Sequence, residues 1–196
     1  MSRNGIKNTV GGGVATYTHP GSAITGTFIT QDTMFAALSS DFTLTAASGV
    51  QSVFDTTCDV WTLQASTTYF FQGKYLINTG TTTHTTAMAF ALGGGASVTH
   101  FNYSTLLWSA AVNTIATAQS TLDIDGVASK VLNATSAAVY TTIHFWGMLR
   151  LNAGGTVTPQ INFSANPTGT NLTKVGSYIM FTPLGSNTVV SVGNVA

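Results

Sequence analysis

Charge is what this sequence has least of. Six of its 196 residues are Lys or Arg and six are acidic, so charged residues make up 6% of the chain, against roughly 25% in an average soluble domain. The net charge is zero and the pI is near 6.9. That balance excludes an electrostatic nucleic-acid binder, because phosphate contacts need clustered cations. Every acidic residue is Asp. The stretch Asp123-x-Asp125-Gly126 opens like a calcium loop but has no Glu to close it, so it reads as two strand-end residues before a glycine turn. Cysteine is nearly absent as well. Cys58 stands alone, which rules out an intrachain disulfide, and its neighbours Asp55 and Asp59 offer no cation to activate a thiol. A small buried or half-buried side chain is the expectation. No long hydrophobic run exists: Ala87 to Val98 contains three glycines and is too short to span a bilayer. The N-terminus has Arg3 and Lys7 but no apolar core segment, so no secretory signal is expected.

Catalytic signatures are missing too. There is no Gly-x-Ser-x-Gly elbow, no Gly-x-Gly-x-x-Gly loop and no Walker loop. His19, His84, His100 and His144 are scattered without zinc-ligand spacing. One histidine per subunit could gather a metal on a threefold axis, but a hydrogen-bonded strand histidine is the plainer reading. The expectation is a protein that is not an enzyme and that carries no metal or cofactor.

What the chain does have is apolar and β-forming. Hydrophobic residues reach 44% and aromatics 10%, enough for a packed core and too many for charge-driven disorder. The length suits one sheet-built domain with an N-terminal arm. Residues 1 to about 30 are rich in Gly, Thr and Ser and show no period, so residues 1–40 read as an extended arm and residues 41–196 as the domain. Thirty-five threonines, with Val, Ile, Tyr and Phe, suit a pleated, half-buried surface.

Alternation locates the strands. From Tyr69 to Asn78, Tyr69, Phe71, Tyr75 and Ile77 form one apolar face, and Gln72, Lys74 and Asn78 point away. His84 to Leu92 puts Met88, Phe90 and Leu92 opposite three alanines, and Gly93 to Gly95 breaks it. Val98 to Trp108 alternates through Phe101, Tyr103, Thr105 and Leu107. Residues 110–120 are the one stretch with helical character, and an irregular loop or single turn fits them as well, because they are β-branched and lack charge pairs. Thr141 to Asn152 and Val157 to Ser164 flank Ala153-Gly154-Gly155 as a hairpin, and Ser177 to Pro183 closes the series. Seven or eight antiparallel strands at this spacing predict an all-β sandwich or jelly roll.

One strand is apolar on both sides. Ile143, Phe145, Leu149 and Leu151 make its inner face, while His144, Trp146, Met148 and Arg150 make the other. A sheet facing water does not normally carry Trp and Met there, so these four are candidate oligomer-interface residues, with cover by the protein's own arm or a long loop as the alternative. Trp61, Trp108 and Trp146 could each be a sugar-stacking platform or a core residue.

Two stretches resemble tailed-bacteriophage virion proteins. Leu63-Gln64-Ala65-Ser66-Thr67-Thr68-Tyr69-Phe70-Phe71-Gln72-Gly73-Lys74-Tyr75 is similar to their Leu, short turn, Tyr and aromatic strand leading to Gly. Phe145 to Ser164, followed by Val175-Gly176-Ser177-Tyr178-Ile179-Met180-Phe181-Thr182-Pro183, is similar to their strand, Gly-Thr hairpin, strand and closing Gly-Ser-Tyr strand. The resemblance implies an antiparallel jelly roll like the tumour-necrosis-factor and complement globular heads, assembled as a homotrimer. It implies a capsid cement or decoration protein, made in a host cytoplasm and bound to the major capsid protein on the outer surface of the virion, with no nucleic-acid or membrane partner. The arm would lie over neighbouring capsid subunits, which makes Arg3, Ile6, Lys7, Val10 and Tyr17 candidate capsid contacts. The alternative is a tail or fibre head that binds a host glycan through an exposed Trp.

Overall fold

The computed structural model describes residues 14–19, 22–29, 33–45, 48–110, 118–132 and 140–186. These contain strands and connections and no helix. The strands are β1 (Val14–His19), β2 (Ser22–Ile29), β3 (Met34–Ala37), β4 (Phe42–Thr43), β5 (Gly49–Ser52), β6 (Trp61–Leu63), β7 (Thr67–Asn78) and β8 (Thr86–Gly93). They continue as β9 (Ser97–Ala110), β10 (Ala118–Asp125), β11 (Lys130–Val131), β12 (Tyr140–Ala153), β13 (Gly155–Phe163), β14 (Leu172–Thr173) and β15 (Tyr178–Ser186).

Apart from the β1–β2 pair, they build two antiparallel sheets. The large one runs β10-β9-β12-β7, and the far edge of β7 is shared by β15 and β14, which continue to β3 and β4. The small one runs β11-β8-β13, with β5 and β6 side by side along the other edge of β13. The expected strands are therefore present, each within about three residues of its predicted ends.

Alternation explains why the sheets stack. Along β12, Ile143, Phe145, Leu149 and Leu151 are buried; along β7, so are Tyr69, Phe71, Tyr75 and Ile77. Met88, Phe90, Val157, Ile161 and Phe163 meet them from the small sheet. Phe71 is the hub, with ring centroids 5.2–6.3 Å from those of Phe90, Phe101, Tyr103, Phe145 and Phe181. Contacts at these spacings and tilts are favourable edge-to-face and offset arrangements.

Two glycine sites make this packing possible. Gly73 lies opposite Phe145 in the ladder, and a Cβ there would collide with the Phe145 ring and the Tyr178 carbonyl. At the β8–β9 turn, Gly94 and Gly95 have φ of 62° and 84°, the left-handed region that side chains disfavour. The turn before β7 uses Ser66 at φ 53°, and the buried Tyr69 hydroxyl accepts the Gln64 N–H at 2.9 Å to hold it.

The N-terminal reading needs correction. Val14–His19 and Ser22–Ile29 form a two-stranded antiparallel pair, β1 with β2, where no period was visible. Main-chain pairing of this kind leaves no mark on the hydropathy of a Gly- and Thr-rich segment. The boundary at residue 40 also falls inside the sheet, because Met34–Ala37 pairs with β15 and Leu38 is buried in the core. Of the 110–120 stretch, Ala110 ends β9 and 118–120 begin β10; 111–117 lie outside the described residues.

Candidate interaction face

The outward side of the large sheet differs from an ordinary wet surface. Its backbone registers align side chains into rows. In one row Trp146 lies between Ser104 and Gln72, and the row continues to Met180 and Phe35. In the next, His144 lies between Leu106 and Lys74, with Tyr178 beyond. On the other side, Met148 lies between Asn102 and Phe70. Trp146 is 43% exposed, Met148 40% and Phe35 61%, while Phe70, Leu106, Trp108 and Met180 are half-buried.

Parity puts these residues there. The strands are committed to the core by their odd-numbered members from Thr67 to Ile77 in β7, Phe101 to Leu107 in β9 and Ile143 to Leu151 in β12, so the even-numbered apolar residues Phe70, Leu106, Trp108, Trp146 and Met148 point outward. Trp108 then closes edge-on against His144, at 5.0 Å between ring centroids, and Phe35 leans on Tyr178 at 5.8 Å. Burial, followed by the Lys74 ammonium in the same row, holds His144 below the usual histidine pKa. Asp123 and Asp125 project from the same face at its β10 margin, and the Ser104 hydroxyl donates to Asp123.

The four candidate interface residues thus share one face: His144 and Arg150 half-buried, Trp146 and Met148 exposed. Sequence reasoning missed the rest of the patch, although Phe70 and Leu76 were visible as apolar residues at the outward parity of β7. The candidate capsid contacts fare differently. Arg3, Ile6, Lys7 and Val10 lie outside the described residues, and Tyr17 sits in β1, its backbone opposite Gly26.

The other candidates scatter. Trp61 is a core residue, 8% exposed, with its ring 5.3 Å from that of Phe181, so it offers no sugar platform. Cys58 is half-buried in the loop before β6, its sulfur 3.7 Å from an Asp55 oxygen. Burial, reinforced by the Asp55 charge, pushes its thiol pKa up, away from the thiolate a nucleophile needs. It lines a shallow cleft of about 250 Å³ with Phe35, Ala36, Thr57, Val60 and Trp61. His84 is buried, with Nδ1 2.8 Å from the Thr82 carbonyl and the ring edge-on to Phe163. His100 is exposed, and His19 lies in β1. Among the described residues, no three His, Cys, Asp or Glu side chains come together.

No family model matches the sequence, and no curated protein matches it. Among solved structures, a chain from the structure of infectious bursal disease virus, Gx strain, is similar at a TM-score of 0.20 and 7% identity, over 88% of this chain and 46% of that one. This chain thus spans less than half of that neighbour, and a likeness at this score supports no conclusion on fold or function.

Proposed function

We propose that this chain is a structural protein of a tailed-bacteriophage virion: a jelly-roll cement or decoration protein that trimerises and binds the major capsid protein on the outer surface of the head. The observation that carries the reading is the apolar outward face of the large sheet, in a molecule with almost no charge to keep such a face apart from its own kind. The sequence stretches that resemble phage virion proteins form β7, β12, β13 and β15, three of which build that face.

Mechanically, the face associates by burying apolar area, worth about 25 cal/mol per Å². The N-terminal segment adds main-chain hydrogen bonds to neighbouring capsid subunits. Three weak contacts per trimer then act together, so lattice occupancy exceeds what one contact supports. No chemistry is required of the protein.

Quantitative mass spectrometry of purified virions tests this directly. A lattice-wide cement protein is present in near-stoichiometric ratio to the major capsid protein. A dozen or so copies would reject the cement reading in favour of a tail or fibre head. One observation supports that second reading: the exposed Trp146 ring is flanked by the hydrogen-bonding side chains of Ser104 and Gln72, as in a sugar-stacking platform. Binding of host polysaccharide that is lost in Trp146→Ala would establish it. Attachment by burial also predicts little salt dependence, so release of the protein from heads between low and moderate salt would count against the cement mechanism.

A further inference from the structure

We infer that the segment preceding β1, from Ile6 to Thr9, adds a strand to the open edge of β3 in its own chain, with Lys7 turned toward the cleft beside Cys58. This goes beyond the virion reading and does not depend on it.

The edge is open by the rule of the antiparallel ladder. Leu38 donates its N–H to the Ser177 carbonyl at 2.9 Å, and Ala36 lies opposite Ile179. Bonded residues alternate along such a strand, so Ala36 faces β15 as Leu38 does. The N–H and C=O of Phe35 and Ala37 therefore point to the other edge, where no strand pairs among the described residues. An edge of this kind is a template for a further strand.

Beside that edge lies the cleft between β3 and the loop before β6. Phe35 and Val60 are exposed there. Trp61 in its wall is nine-tenths buried, and the indole N–H has no hydrogen-bond partner among the described residues. The loop also carries Asp55 and Asp59, and neither has a cation partner among the described residues. The cleft thus offers apolar surface with an acidic rim.

The occupant follows from where the described chain begins. Residues 1–13 lie outside the described residues, and Val14 opens β1 directly opposite Ile29 at the end of β2. Met34 is five residues on from Ile29, which keeps Val14 within about 23 Å of β3, and thirteen extended residues reach roughly 40 Å. The register of β1 on β2 is constant from Tyr17 opposite Gly26 to Val14 opposite Ile29. Carried on unchanged, it sets Ile6, Lys7, Asn8 and Thr9 opposite Ala37, Ala36, Phe35 and Met34. Opposed residues share a face of the sheet. Ile6 and Asn8 then stand outward beside Phe35, while Lys7, with Ala36, faces the cleft and its carboxylates. Arg3 has the same parity, so both cations of the segment fall on the acidic side. In the virion reading, a capsid subunit that pairs with this segment gains it by displacing it from β3.

Cys58, the only native thiol, serves as the probe. Ile6, Lys7 and Asn8 are each replaced by Cys in the full chain, and the dilute proteins are treated with a short bis-maleimide and read by mass spectrometry. Lys7→Cys is expected to crosslink to Cys58 within one chain at least about fivefold more than Ile6→Cys or Asn8→Cys, because alternate residues point to opposite faces. Equal yields at the three positions, the reverse alternation, or crosslinks formed only between chains would each overturn the inference. Amide exchange gives a second reading. Asn8→Pro removes the N–H that pairs with Phe35, so the Phe35 and Ala37 amides are expected to exchange at least about tenfold faster while that of Ala36 is unchanged. A folded Asn8→Pro chain with wild-type exchange at both amides overturns the inference as well. Melting curves establish that each variant is folded.

Discussion

On the outward side of the small sheet, β13 has Thr156, Thr158, Gln160 and Asn162, all half-buried, and β8 beside it has Ala87 and Ala89, both buried, and Ala91. On the solvent side of the large sheet, the corresponding positions are Trp146 and Met148 on β12, Phe70 on β7, Leu106 and Trp108 on β9, and Met180 on β15. Both sheets bury their inner faces in one core, so the fold does not require this difference. Short polar and small side chains on the first face satisfy water and one another; Asn162, for instance, donates to Ser129 at 3.3 Å. Large apolar side chains on the second gain nothing from water. Val50 and Val131 are exposed on the small sheet, but the aromatic and Met side chains gather on the large one, and on that difference the proposed contact rests.

That contrast can be broken in graded ways. The largest effect is expected at Gly73, where the inner packing supports the centre of the apolar face. Gly73→Ala drives a methyl into the Phe145 ring, and a loss of about 2–3 kcal/mol in chemical denaturation is expected. A neutral result would show that the Phe145 ring has room to move. Next come the two faces themselves. Trp146→Ser with Met148→Ser should weaken self-association by roughly thirtyfold, the order of a hot-spot loss, with the melting temperature at high dilution unchanged. The matched pair on the small sheet, Thr158→Lys with Gln160→Lys, should leave association as it was. Equal effects from the two pairs would erase the distinction between the faces.

A smaller effect tests the shared interior. The hydroxyls of Tyr75 and Tyr103 are buried without a hydrogen-bond partner among the described residues, and burial, followed by the neighbouring Tyr103, raises the pKa of Tyr75 well above the usual value. Tyr75→Phe removes a polar group that has lost its water, so a gain of about 1 kcal/mol is expected. A loss instead would mean that the hydroxyl is bonded through a buried water. The smallest effect is that of His144. Its pKa is lowered in the folded chain by burial and by Lys74. As pH falls through about 6.5 the unfolded chain takes up the proton first, so the stability present above that pH declines below it, until the folded form is also protonated. His144→Gln should flatten that part of the stability–pH curve, and an unchanged curve would place the titration elsewhere.

Much of this was legible in the sequence because a strand with one buried face must alternate. Tyr69, Phe71, Tyr75 and Ile77 announced β7, and the split between Phe145 and Trp146 announced a strand that is apolar on both sides. What was not legible has a common cause. Met34–Ala37 is too short for a period to show, and it became a strand because β15 had a free edge. Trp61, Trp108 and Trp146 were indistinguishable as residues, yet one is core, one leans on a histidine and one faces outward.

By itself, the sequence determined the near-absence of charge, the positions of the long alternating strands and the parity within them, since these depend only on which residue follows which. Tertiary structure decided which strands lie side by side, and so which outward residues share a row. Trp146 is 74 residues from Gln72 in the chain and next to it in the sheet. Rows of this kind arise from long-range backbone pairing, which no local pattern encodes. A contact face is therefore assembled only when the sheet is.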